Sequence, residues 1–137
     1  MLEIVPYERE LLFGFEYNGI EKGLSGSQIN AIVEFYATLG RVFVGLVDGK
    51  VIGVGGVYPL WKNAGSVFLF LNREASKYKV SIFKSLLDYI PMLIKEYDIK
   101  TLMVNCIDDI QAKTLITHLG FRKSKEIKMG LYYLGGL

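Results

Sequence analysis

The sequence has little of what builds crosslinked or metal-binding proteins, with one cysteine, one histidine and three prolines in 137 residues. The lone Cys106 excludes an internal disulfide and a site built from several thiolates. The lone His118 belongs to no cluster of histidine, cysteine and carboxylate residues at metal-ligand spacing, so no metal site is predicted. No charged segment and apolar run precede a cleavage site at the N-terminus, and we therefore expect a cytoplasmic protein.

The sequence also lacks a large excess of positive or negative charge and long apolar runs. The net charge is only +2, the basic residues are scattered, and the aromatic residues fall at core spacing, which argues against a nucleic-acid partner. Polar residues and glycines interrupt every apolar run before it reaches the length of a transmembrane helix, so we expect no membrane insertion. The length fits a single domain, 1–137, and the 51% hydrophobic content supplies a core.

The first part of the chain predicts one strand and two helices. Residues 2–7 (LEIVPY) form a candidate strand that ends near its proline. Residues 8–17 (ERELLFGFEY) place leucines and a phenylalanine on one helical face. Ser25 and Gln28 have the spacing of a capping box, and apolar residues recur after them at helical spacing until Gly40. The second of these helices is the better supported.

The middle of the chain predicts a hairpin, a buried strand and a long helix. Two runs rich in β-branched residues meet at Asp48-Gly49, a pair that tolerates the positive φ angles of a type I′ turn. Residues 66–72 (SVFLFLN) are apolar on both faces, as expected of a central strand covered on both sides. Residues 79–97 carry a wide apolar stripe, and Pro91 within it is expected to kink the helix.

The last part predicts a strand, a helix and one or two closing strands. Residues 99–107 (IKTLMVNCI) form the strand, and residues 110–119 (IQAKTLITHL) form the helix, with Asp108 or Asp109 as its cap. The tail contributes the closing strands. Because a helix joins the fourth and fifth strands, that pair should be parallel, whereas the hairpins make the preceding strands antiparallel. The order therefore predicts a mixed α/β sheet covered by helices on both faces.

This element order, together with the segment DIQAKTLITHLGFRK, resembles the GNAT superfamily of N-acyltransferases over residues 2–134. The family's penultimate helix has the pattern N-x-x-A-x-x-L-Y-x-x-x-G-F. Asp109 stands here at the asparagine position and Ile116 at the tyrosine position, and four residues match: Ala112, Leu115, Gly120 and Phe121. The resemblance implies the GNAT fold, with six to seven strands and about four helices, and acetyl-CoA or another acyl-CoA as cosubstrate.

The family's phosphate-binding loop, Q/R-x-x-G-x-G/A, can be placed in two registers, 73–78 or 78–83. The second register is favoured because Ile82 and the following leucine pair then match the family as well. Both registers put a serine at the first glycine position and a ring, Tyr78 or Phe83, at the second small position. A ring fills part of the space that a diphosphate would occupy, so the loop is expected to be degenerate.

The resemblance implies a set of cofactor-binding residues around one geometric feature. Strand segments 67–72 and 102–107 are expected to part at one end, and main-chain groups of the first segment are expected to pair with the pantetheine arm. The phosphates are expected at the start of the following helix. The residues that we assign to this site are Leu71, Asn72, Arg73, Lys77, Tyr78, Lys79, Ser81, Asn105 and Asp109.

No catalytic residue is assigned. The resemblance implies a tyrosine acid, but Ile116 stands at its position, and Tyr132 or Tyr133 is either a substitute or part of the core. It also implies a glutamate base on or near the fourth strand, where residues 66–71 offer no carboxylate. Asn105 is a candidate for ordering a water molecule or binding substrate.

Two functions follow from this pattern. The first is a divergent N-acyltransferase that acts on an unknown amine, either a small molecule or a peptide. The alternative is a binding or assembly module without catalysis, since the missing glycines and tyrosine resemble short degenerate members of the family that occur in tailed phages. The family resemblance also leads us to expect a homodimer.

Overall fold

A computed structural model describes residues 1–16, 26–105, 122–123 and 131–134. These residues contain two α-helices, α1 (Gly26–Leu39) and α2 (Lys79–Glu96), and two 3₁₀ helices, Arg9–Leu12 and Arg73–Tyr78. Their strands are β1 (Leu2–Pro6), β2 (Arg41–Val47), β3 (Lys50–Trp61), β4 (Ala64–Leu71), β5 (Thr101–Asn105), β6 (Arg122–Lys123) and β7 (Leu131–Leu134).

The strands form one seven-stranded sheet in the order β1-β2-β3-β4-β5-β7-β6. The neighbours β4 and β5 are parallel, and the other neighbours are antiparallel. Helix α2 connects the parallel pair, as the crossover rule predicts. The mixed α/β class, the strand number and the closing strands are therefore confirmed, while the predicted helix 110–119 lies outside the described residues.

The predicted first helix is wrong over its described part. Within residues 8–16 the only helical segment is the short 3₁₀ helix Arg9–Leu12. Its C-terminal cap, Phe13, is extended, and Gly14 has a φ of +78°. Glycine loses more conformational entropy in a helix than any other residue, and the few preceding residues are too short a segment to offset that cost.

The second helix and the hairpin are confirmed. Helix α1 buries Ile29 and Val33 against the sheet, although its predicted capping residue, Ser25, lies outside the described residues. Asp48 and Gly49 have φ angles of +50° and +77°, as the type I′ turn requires. The turn joins β2 to β3 in the predicted antiparallel register.

The sheet is covered by α1 on one face and by α2 on the other. On the α1 face, Val33 packs with Val44 and Phe68. On the α2 face, Ile82 packs with Leu71, and Leu93 packs with Val67 in a neighbouring cluster. Because β4 sends alternate residues into both layers, it is apolar at every position except Ser66, as expected of a central strand.

Helix α2 is continuous from Lys79 to Glu96 and contains Pro91. Proline lacks an N–H group, so the carbonyl of Leu87 has no donor at that turn.

Among the described helices, none combines the length and the apolar character needed to cross a membrane.

Candidate functional site

The described part of the β4–β5 ladder covers the first half of β4. It runs from Ala64 opposite Thr101 to Val67 opposite Val104. Strand β4 then continues to Leu71, and within the described residues its last part pairs only with β3. The predicted parting of these strands after Val67, called the opening, stays a prediction, because residues 106–107 of the second segment lie outside the described residues.

One hydrogen bond at the end of β4 shows to which edge of the strand each backbone N–H and C=O group points. The N–H of Asn72 donates to the carbonyl of Ile52 at 3.0 Å, on the β3 side. Backbone groups of successive strand residues point to opposite edges, so those of Leu71 and Leu69 point to the β5 side. These two residues carry the main-chain groups that border the opening between the strands.

Leu69 was not among the predicted site residues. The sequence prediction took only the end of the strand, beginning at Leu71. The signal that identifies Leu69 is the two-residue strand period, which gives it the same backbone direction and the same face as Leu71.

Asn72 follows β4, and both the oxygen and the nitrogen of its side-chain amide form hydrogen bonds there. Its Oδ1 accepts from the N–H of Ala75 at 3.2 Å, and its Nδ2 donates to the carbonyl of Val51 at 3.1 Å. The first bond caps the 3₁₀ helix Arg73–Tyr78, and the second ties this corner to β3. The side chain of Asn72 thus has structural partners, and its role toward a cofactor stays a prediction.

The polar groups of the first phosphate register are bonded to each other. The Nζ of Lys77 lies 3.0 Å from Oε2 of Glu74, and Ser76 Oγ donates to the carbonyl of Arg73 at 3.0 Å. The hydrogen bond that Lys77 donates to Glu74 is the largest cause that raises the pKa of Lys77. Residues 73–78 therefore offer a phosphate fewer uncommitted groups than their sequence suggests.

The second register, 78–83, coincides with the start of α2. Tyr78 occupies the N-cap position and makes no side-chain capping bond, and the first turn carries no acidic residue. The exposed side chains of Lys79 and Ser81 lie in this first turn. A helix N-terminus of this kind favours an anion through its backbone N–H groups and its dipole.

The two rings at the small positions of the motif, Tyr78 and Phe83, pack against the core. Both are half-buried and contact the apolar cluster that contains Leu71, Ala75 and Ile82. These rings therefore contact the part of the core that lies between α2 and the sheet. They anchor the start of α2 beside the end of β4.

A stack of aromatic side chains lies on the α1 face beside the opening. The rings of Tyr36 and Tyr58 are stacked with their centroids 4.2 Å apart, and Phe68 lies 4.8 Å from Tyr36. Burial is the largest cause that raises the pKa of Tyr36, followed by its hydrogen bond to Tyr58. Tyr36 is therefore neutral at physiological pH.

The described residues supply no catalytic carboxylate at the opening. Strand β4 has no ionisable side chain, and no polar or charged residue is buried among those described. Asn105 ends β5 one residue beyond the last pair with β4. Tyr132 and Tyr133 lie on β7, opposite Val104 and Met103.

The remaining candidates lie outside the described residues: Cys106, Asp109, Ile116 and His118. Within the described ranges, no group of three or more histidine, cysteine or carboxylate side chains could hold a metal ion.

Comparison with known proteins identifies the fold. No protein-family model and no curated protein matches the sequence. Among solved structures, a GNAT-family acetyltransferase from Staphylococcus aureus Mu50 has a TM-score of 0.72 and 21% identity, with 97% of this chain and 98% of that chain covered. Ard1 from Thermoplasma volcanium has a TM-score of 0.71 and 13% identity, with 96% and 94% covered.

A third similar structure is a GNAT-family acetyltransferase from Elizabethkingia anophelis with acetyl-CoA bound. Its TM-score is 0.63 and its identity is 14%, with 98% of this chain and 97% of that chain covered. These TM-scores show a shared fold, and at identities this low they show the fold alone. The chain has the fold of the GNAT acetyltransferases, as its sequence predicts.

Proposed function

We propose that this protein, with its GNAT fold, is a divergent N-acyltransferase that binds acyl-CoA between β4 and β5 and acylates an amine. The observation that carries the proposal is the GNAT fold, in which the described β4–β5 ladder reaches Val67 while β4 continues to Leu71. The opening lies beside the start of α2, which follows β4 after a single 3₁₀ helix. Acetyl-CoA is the reference cosubstrate.

In this proposal the cosubstrate is held mainly by backbone groups. The amides of the pantetheine arm pair with the main-chain groups of Leu69 and Leu71, which lack a strand partner on that side within the described residues. The pyrophosphate lies at the N-terminus of α2, near Lys79 and Ser81. Because backbone groups make these bonds, binding tolerates the loss of the loop glycines.

The transfer joins the amine nitrogen to the thioester carbonyl carbon and breaks the carbon–sulfur bond. The nitrogen loses a proton, and the leaving thiolate takes one up. Since β4 supplies no carboxylate base, an amine with a larger neutral fraction near pH 7 suits the site better than a strongly basic one. We therefore expect α-amino groups, with pKa values of about 8, to react better than lysine side chains at about 10.4.

Calorimetric titration with acetyl-CoA, paired with a thermal-shift measurement, tests the binding step. A ligand present at 100 times its Kd should stabilise the folded protein by about 2.7 kcal/mol. Release of free thiol on addition of peptides with a free or a blocked α-amino group tests transfer. The absence of stabilisation at millimolar acetyl-CoA would contradict the proposal.

A binding or assembly module without catalysis is the second candidate, and the lack of any ionisable side chain on β4 favours it. The same titration separates the two, because a module that retains the site binds acetyl-CoA but releases no thiol with any amine. The cytoplasmic location, the single-domain boundary and the homodimer stay predictions from the sequence. So does the absence of nucleic-acid and membrane partners.

A further inference from the structure

An apolar cavity of about 80 Å³ lies between α2 and the sheet. Strands β1 to β4 line it from below, and α2 lines it from above through Ile82, Leu86 and Ile90 among others. Among the described residues that line it, Ser85 and Tyr89 alone have polar side chains. Protein interiors rarely leave voids larger than a water molecule, so a cavity of this size in a small domain requires a physical cause.

The cause is a patch of glycines on the α2 face of the hairpin. Gly45 of β2 lies directly opposite Gly53 of β3, and Gly55 lies opposite Phe43 on one side and Leu69 on the other. All three glycines line the cavity. Since they send no side chain toward α2, the sheet has a shallow depression beneath the helix, while Ile82 and Leu93 of the helix pack on the sheet around it.

The cavity borders the predicted opening between β4 and β5 through shared residues. Leu69 and Leu71 point their backbone groups to the β5 side of β4, and their side chains line the cavity. Val67, the last residue of β4 in the described ladder with β5, lines it as well. A ligand bound at this edge of β4 therefore lies beside an apolar space.

We propose that this cavity receives the acyl chain of an acyl-CoA longer than acetyl-CoA, with about four to six carbons. This inference rests on the proposed function, because it takes the thioester to lie on the free edge of β4. The lining suits an unsubstituted or branched alkyl chain and offers a charged acyl group no ionic partner. Acetyl, with its single methyl group, leaves most of the cavity unfilled.

The proposal predicts a dependence of affinity on chain length. Each methylene buried from water should lower Kd about fourfold. Butyryl-CoA should thus bind about 15-fold more tightly than acetyl-CoA, and the gain should stop once the chain exceeds the cavity. Calorimetric titration of the wild-type protein with CoA, acetyl-CoA, butyryl-CoA and hexanoyl-CoA measures this series without any variant.

Ser85→Leu provides a variant that fills the cavity from the helix side. The Ser85 Oγ donates only to the carbonyl of Ser81 one turn earlier, at 3.0 Å, and leucine is a better helix former than serine. Asp88→Leu, at an exposed position of the same helix, is the matched control. Ser85→Leu should keep its affinity for acetyl-CoA and lose the gain for butyryl-CoA, whereas Asp88→Leu should keep both.

The outcomes separate this inference from the function on which it rests. If acetyl-CoA and butyryl-CoA bind the wild-type protein equally, the cavity does not receive the chain, and the proposed function stands. If the gain survives in a folded Ser85→Leu protein, the chain lies elsewhere and the inference is wrong. If no CoA derivative binds, the proposed function fails and this inference fails with it.

Discussion

Val67 of β4 lies opposite Val104 in the last described pair of the β4–β5 ladder, and two residues later the backbone of Leu69 points to the same edge of the strand. Unpaired backbone groups in the interior are costly, so the groups on this edge need a hydrogen-bonding partner. In the proposed function, that partner is a ligand with amides of its own. The pantetheine arm of CoA is such a ligand.

The phosphate register can be tested by reversing the charge of one lysine. Lys79→Glu should weaken acetyl-CoA binding about tenfold or more, because a carboxylate replaces a cation at the N-terminus of α2. Lys77→Glu is the matched control, since it changes the net charge equally while Lys77 pairs with Glu74. Calorimetric Kd values for the two variants give the comparison.

A larger loss in Lys77→Glu than in Lys79→Glu would assign the phosphates to residues 73–78. Equal losses would indicate that only long-range charge matters.

The hydrogen bonds of the Asn72 side chain should contribute to the stability of the fold. Asn72→Ala removes the cap on Ala75 N–H and the bond to the Val51 carbonyl, and we expect the free energy of unfolding to fall by about 2 kcal/mol. Asn72→Asp keeps the capping acceptor and loses only the donor, so its loss should be smaller. Urea unfolding measures both, and an unchanged stability in Asn72→Ala would contradict the structural role.

The close approach of β2 and β3 at Gly56 should tolerate no side chain. A Cβ at this position would overlap the backbone carbonyl of Arg41, so Gly56→Ala should destabilise the protein by about 3 kcal/mol. Gly26→Ala is the control, because no atom lies within 4 Å of the added Cβ at the start of α1. Its effect should be neutral or slightly stabilising. Equal stability of the two variants would show that the strands are further apart.

The half-buried side chain of Tyr36 should make stability depend on alkaline pH. Burial, followed by the hydrogen bond to Tyr58, raises the pKa of Tyr36 above its ordinary value of 10.0. The folded state therefore keeps a proton that the unfolded state loses above pH 10. This stabilising contribution is complete below pH 10 and declines as the pH rises toward the folded pKa.

Tyr36→Phe should remove up to about 1.4 kcal/mol per pH unit from the alkaline slope of the unfolding free energy. Urea unfolding between pH 9 and pH 11 measures the difference between the variant and the wild type. Tyr7 and Tyr97, whose pKa values burial also raises, contribute equally to both proteins. Identical slopes would indicate that Tyr36 is accessible to solvent.

The sequence predicted those elements whose signal is local. Asp48-Gly49 identifies its hairpin because few residue pairs adopt two positive φ angles, and the apolar period defines α2. The helix predicted over 8–17 failed at Gly14, where a local backbone preference outweighed an amphipathic pattern. The length of the β4–β5 ladder depends on the path of two strands that are distant in sequence. Periodicity alone therefore predicts the strands but not the length of their ladder.

The site itself stays a prediction. The sequence favours the second register of the phosphate loop through Ile82 and the leucine pair, and the internal bonds of Lys77 and Ser76 in the first register agree with that choice. The cavity beneath α2 was not predicted, because Gly45, Gly53 and Gly55 belong to different strands and become neighbours only in the folded sheet.

Amide hydrogen exchange, followed residue by residue by NMR, tests the central claim most directly. In the free protein, the amide of Val67 should be protected by the ladder, while those of Leu69 and Leu71 should exchange much faster. Saturating acetyl-CoA should slow exchange at Leu69 and Leu71 and leave Val67 nearly unchanged. Strong protection of Leu69 and Leu71 in the free protein, or unaltered exchange in the presence of acetyl-CoA, would contradict acyl-CoA binding at the free edge of β4.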